Sequence, residues 1–89
     1  MEPSEILDRL AELAQEAGFD VRVLARGPAE ASLESAVCRV RGRLWVVLAQ
    51  SDPPEQHIAV LARALREHAA PLLEDRFLPP AVREVLEAG

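Results

Sequence analysis

The chain has 89 residues, 49% hydrophobic and 28% charged, with a formal net charge of −5. That length sets one small domain, residues 1–89, which buries about 60–65% of its unfolded surface, and the composition excludes a disordered chain. The single cysteine, Cys38, excludes an internal disulfide framework, and an acidic total disfavours broad nucleic-acid affinity.

All ten basic residues are Arg, and charge is unevenly spread. Residues 1–18 hold five acids and one Arg, residues 19–50 three acids and five Arg, and residues 51–89 seven acids and four Arg. The predicted sheet is therefore mildly basic and the predicted helices acidic. No apolar run approaches the length of a membrane-spanning helix. The chain opens on Glu2 and Glu5 rather than on a basic and then apolar leader, so a cytoplasmic protein is expected.

Residues 3–17 predict an amphipathic helix. Ile6, Leu7, Leu10, Leu13, Ala14 and Ala17 share one face, and Glu2, Glu5, Asp8, Glu12 and Glu16 take the rest. Pro3 suits the first turn and Gly18 a left-handed C-terminal cap. Residues 19–26 predict a strand, with Phe19, Val21, Val23 and Ala25 alternating with Asp20, Arg22, Leu24 and Arg26. Gly27-Pro28 ends it, and residues 29–34 read as a loop.

Residues 35–40 and 43–50 predict a hairpin turning at Arg41-Gly42. In that register Val40 faces Arg43, Cys38 faces Trp45, and Ala36 faces Val47. Ala36, Cys38, Val40, Trp45, Val47 and Ala49 then share one face, which is assigned to the core. The opposite face carries Val37, Arg39, Leu44, Val46 and Leu48. Both faces are apolar, and one layer of helices covers only one of them. The second stripe, with Arg22 beside it, is the candidate interaction surface.

Asp52-Pro53-Pro54-Glu55 predicts a capped helix start, with Asp52 as the cap, Pro53 in the first helical position and Glu55 closing a capping box. The helix runs to about residue 69 and turns Ile58, Leu61, Ala62 and Leu65 inward. Pro71 stops it, and residues 72–78 form a connector with room for one helical turn. A short last helix over residues 80–88 has Val82, Val85 and Leu86 as its apolar stripe. The expected fold is α+β, in the order α-β-β-β-α(-α): a three-stranded antiparallel meander with the two main helices on one face. The last helix either completes that layer or wraps toward the far face.

No residue pattern demands catalysis. Cys38 is expected to be a buried, structural thiol. His57 and His68 are 11 residues apart on one helix, about 16 Å, and cannot share a metal. A Cys38–His57 dyad is sterically conceivable but nothing requires it. No Gly-rich phosphate loop, zinc spacing or nucleophile elbow occurs, so no cofactor is expected. The expected function is a non-enzymatic interaction module that homodimerises through the outer sheet face. The alternative is nucleic-acid binding through the Arg-bearing face and the hairpin turn.

Two resemblances bear on this. The helix–three strands–helix order resembles the double-stranded RNA-binding domain in topology. That family grips phosphates with a Lys-rich cluster at the start of its last helix, where this chain has Asp52-Pro53-Pro54-Glu55-Gln56. Over roughly residues 19–86 the chain is similar to a family of small uncharacterised bacterial proteins. The likeness is carried by Cys38-Arg39-Val40 entering a turn at Gly42, by Glu55-Gln56, and by Phe77-Leu78-Pro79-Pro80-Ala81-Val82-Arg83. Relatives often have Gly-Gly before the cysteine where this chain has Ser35-Ala36. The resemblance implies fold boundaries and no catalytic residues.

Overall fold

The computed structural model describes residues 1–24 and 36–88. Its elements are α1 (Pro3–Glu16), β1 (Asp20–Leu24), β2 (Ala36–Val40), β3 (Arg43–Ala49), α2 (Pro54–His68), α3 (Ala70–Asp75) and α4 (Pro80–Glu87). The expected continuation of β1 to residue 26, the Gly27-Pro28 break and the loop over 29–34 lie outside the described residues. The α+β class and the helix bounds follow the periodicity of the sequence closely.

Pro3 opens α1, and the Glu5 carboxylate accepts the Glu2 N–H at 3.2 Å. At its other end Gly18 takes φ +85°. Its N–H donates to the Gln15 carbonyl, and the Phe19 N–H donates back to the Ala14 carbonyl at 2.9 Å. These paired bonds satisfy carbonyls the helix leaves orphaned and send the chain straight into β1. The hairpin turn has φ 52° at Arg41 and 80° at Gly42. Two successive positive φ values give the turn whose twist matches that of its strands.

The hairpin register is the expected one, with Cys38 opposite Trp45, Ala36 opposite Val47 and Val40 opposite Arg43. The sheet is nevertheless not an antiparallel meander. Its order is β1-β3-β2, and β1 runs parallel to β3. The reason lies in composition. β3 is the longest and most apolar strand, and the centre gives it a neighbour on both sides. The Arg-bearing β1 and β2 take the edges, where charge is tolerated.

This order reverses the expected faces. Val21 pairs with Val46 and Val23 with Leu48, while Asp20 pairs with Trp45 and Arg22 with Val47. Alternation then aligns the apolar side of β1 with Leu44, Val46 and Leu48, and its polar side with Trp45 and Val47. Leu44, Val46 and Leu48 are buried, Val46 completely, and Val37 packs against them. Cys38 and Val40 are exposed, and Trp45 and Val47 half-buried. Ala49 alone of the supposed core stripe is buried among the residues whose side chains are described.

One core cluster joins Leu10, Leu13 and Ala14 of α1, Leu44, Val46 and Leu48 of β3, Ile58, Leu61 and Leu65 of α2, and Val82 and Leu86 of α4. α2 packs against α1, α3, α4, β2 and β3. α4 therefore completes the helix layer and does not wrap to the far face. α2 starts one residue later than expected: Pro53 is its N-cap and Pro54 its first residue. The connector after it contains a six-residue helix, α3.

Val46 and Val47 are neighbours on opposite faces and make a matched test. Val46→Ala should cost about 2 kcal/mol, for the lost methyls and the space they leave, and Val47→Ala clearly less. Urea unfolding of both variants measures this, and equal costs would contradict the assigned faces. Arg41 holds a left-handed conformation that costs most L-residues about 1–2 kcal/mol and that Asn tolerates better. Arg41→Asn should therefore raise the melting temperature by a few degrees in a thermal scan, and a lower melting temperature would refute the turn assignment.

Candidate functional site

The sheet face opposite the helices is built from all three strands. β1 contributes Asp20, Arg22 and Leu24, β3 contributes Arg43, Trp45 and Val47, and β2 contributes Cys38 and Val40. Among the described residues, no helix lies over it. Val40 is 37% and Leu24 43% exposed, so the face presents apolar surface to solvent at both edge strands.

At its centre the Arg22 guanidinium sits 5.1 Å from the centroid of the Trp45 ring. A cation over an indole face is attracted by the ring quadrupole. Arg22 Nε donates to Asp20 Oδ1 at 2.7 Å and Nη2 donates to Oδ2 at 3.2 Å. This two-point pairing fixes the guanidinium plane. The Arg22 hydrogen bond, with the charges of Arg22 and Arg43 against some desolvation, lowers the Asp20 pKa from its ordinary value. Asp20 in turn raises that of Arg22. The face is thus apolar at Leu24, Val40, Trp45 and Val47, with one internally neutralised ion pair and with Arg43 at its end, bonded to the Gly18 carbonyl.

The expected interaction residues do not assemble as one surface. Arg22 lies on the open face. Val37, Leu44, Val46 and Leu48 belong to the core side, because β1 aligns them with Val21 and Val23. Arg39 pairs with Leu44 and falls on the helix side of the edge strand, where it is exposed. In their place Leu24, Cys38, Val40, Trp45 and Val47 form the open face. The signal that could have found them is the parity of β1, whose polar alternation marks the solvent side.

Cys38 is exposed rather than a buried core thiol. His57 is half-buried, and its Nε2 lies 2.6 Å from the Ala49 carbonyl. A carbonyl only accepts, so Nε2 carries the proton. Cys38 sits beside Trp45, four residues up the ladder from Ala49, or about 13 Å at 3.3 Å per residue. The conceivable Cys38–His57 dyad is not assembled. Among the described residues no group of three His, Cys, Asp or Glu side chains is placed to hold a metal ion, and no helix is long and apolar enough to cross a membrane.

A second basic feature is a cleft of about 270 Å³ at the turn end of the hairpin, lined by Arg39, Arg43 and His68 against Phe19 and Leu44. No sequence pattern announces it, because its residues come from three distant segments. No family model, no curated protein and no solved structure matches this chain.

The Asp20–Arg22 pair makes stability pH-dependent in a definite sense. A carboxyl whose folded pKa is depressed contributes stability above its unfolded value, and that contribution fades as pH falls through the folded pKa. The advantage of the native chain over Asp20→Asn should be full above about pH 4 and shrink below it. Urea midpoints of the two proteins across the acid range measure this, and a constant difference would mean the charge pair contributes nothing.

Proposed function

We propose that the protein is a non-enzymatic interaction module that pairs with a second copy of itself through the sheet face opposite its helices. The observation that carries this reading is the apolar open face of Leu24, Val40, Trp45 and Val47. A face of this kind is covered most simply by another sheet stacked about 10 Å away. Because Asp20 neutralises Arg22, two such faces meet without net repulsion at their centres. An exposed, unpaired Cys38 fits a reducing, cytoplasmic setting.

Size limits the strength of this pairing. Three strands about 4.8 Å apart and five to seven residues long span roughly 14 by 20 Å. Stable complexes bury about 800 Å² on each partner, and this patch, roughly 280 Å² in outline, is about a third of that. The expected dimer is therefore weak, and forms at micromolar concentration or above.

Nucleic-acid binding is the second reading. It draws on Arg41, exposed at the turn and without a partner among the described residues. Arg22 is engaged by Asp20 and Trp45, and Arg39 lies on the other side of the sheet, so Arg22, Arg39 and Arg41 do not share one face along which a nucleic-acid backbone could run.

Size-exclusion chromatography with light scattering at rising concentration should show a monomer–dimer equilibrium, and Val47→Arg should abolish the dimer. Cys38 supplies a local readout: its maleimide labelling should slow as protein concentration rises. A single monomer mass up to high micromolar concentration, with labelling unchanged, would end the dimer reading. Salt-dependent binding of RNA or DNA at low ionic strength would instead favour the second.

A further inference from the structure

We infer that the cleft between the hairpin and the C-terminal ends of α1 and α2 binds the phosphate group of a small phosphomonoester. The cleft is lined by three side chains able to donate to an anion, Arg39, Arg43 and His68, and, among the described residues, by no carboxylate. Its wall is apolar at Phe19 and Leu44, both buried. Arg43 is held in place, because its Nε donates to the Gly18 carbonyl at 3.2 Å. Neither Arg39 nor His68 has a hydrogen-bond or ion-pair partner among the described residues. Two guanidinium groups converge on one concavity with donor capacity unspent.

Charge supports an anion there despite an opposing term. α1 and α2 both end at the cleft, and each helix C-terminus carries about −0.5 of an elementary charge. Together these offset about one of the two Arg charges, and Asp20, which acts on Arg43, offsets part of the rest. A positive remainder persists at Arg39, which has no carboxylate partner among the described residues. Guanidinium forks match phosphate oxygens two at a time, and a phosphate monoester brings about −1.5 to −2 charges at neutral pH. The volume sets the size of the ligand. At about 270 Å³ the cleft lies just below the usual ligand-pocket range of about 300–1,000 Å³. It accommodates a phosphate with a few attached atoms, and not a nucleotide.

Arg39, Phe19 and Leu44 belong to the helix side of the sheet, whereas Arg43 alternates with Trp45 and reaches the cleft at Gly18, so phosphate binding is measured at a protein concentration below that of pairing. The test is an NMR titration of the full chain with inorganic phosphate, with acetate as the carboxylate arm. Saturable shifts are expected at Arg39, Gly42, Arg43 and His68, and weaker ones with acetate. Arg39→Ala removes a side chain with no internal partner, so folding should be intact by circular dichroism and phosphate affinity should fall at least about tenfold. Arg41→Gln, outside the cleft, should leave affinity unchanged. The proposal is overturned by shifts that do not saturate, by an equal loss in Arg41→Gln, which would mean a diffuse basic surface, or by acetate binding as tightly as phosphate.

Discussion

The parallel pairing of β1 with β3 decides most of what this molecule is. The hairpin by itself is indifferent to which face it buries, because Trp45 and Val47 on one side are as apolar as Leu44, Val46 and Leu48 on the other. β1 is not indifferent. It follows α1 after a single glycine turn, and its charges, Asp20 and Arg22, both lie on one side. Locking Val21 to Val46 and Arg22 to Val47 transfers that asymmetry to the whole sheet. Burial of the other face would have placed Asp20 and Arg22 under the helices, where unscreened charge is costly.

From that choice the helix layer follows. α2 lies over the buried face and serves as the common neighbour of α1, α3 and α4. α4 is tied down twice, by Val82 and Leu86 in the core and by Arg66, whose Nη1 donates to the Leu86 carbonyl at 3.2 Å. Arg76 links α3 to α1 through Glu16 at 3.2 Å, an exposed contact that orients more than it stabilises. With every described helix on one side, the chain has two distinct surfaces, an acidic helical one and a sheet face of mixed apolar and paired charge.

Local features were legible in the sequence and long-range ones were not. Pro3, Gly18, Arg41-Gly42 and Pro80 each act on backbone geometry within a few residues, so the bounds of α1, the hairpin register and the start of α4 could be read directly. Strand order depends on which partner β1 finds across residues 25–35, and no periodicity encodes that. The face of the hairpin depended on the same unknown, and so the proposed surface of Val37, Leu44, Val46 and Leu48 became core. Asp52 looked like a helix cap, yet two prolines follow it and both fit a helix start, so the boundary fell one residue later. The Arg39–Arg43–His68 cleft is a tertiary product with no sequence signature of its own.

The placement of Trp45 has a spectroscopic consequence. It is the sole tryptophan in a chain without tyrosine, so it dominates the near-ultraviolet absorbance and emission. In many small proteins that signal follows the packing of the core. Here the indole lies on the far side of the sheet from Leu10, Leu61 and Val82, under a guanidinium and beside solvent. Its emission reports the state of the sheet surface, while far-ultraviolet dichroism reports the helices. The two optical probes are thus physically separated across one thin sheet, and any stepwise loss of structure in this chain would appear as their failure to coincide.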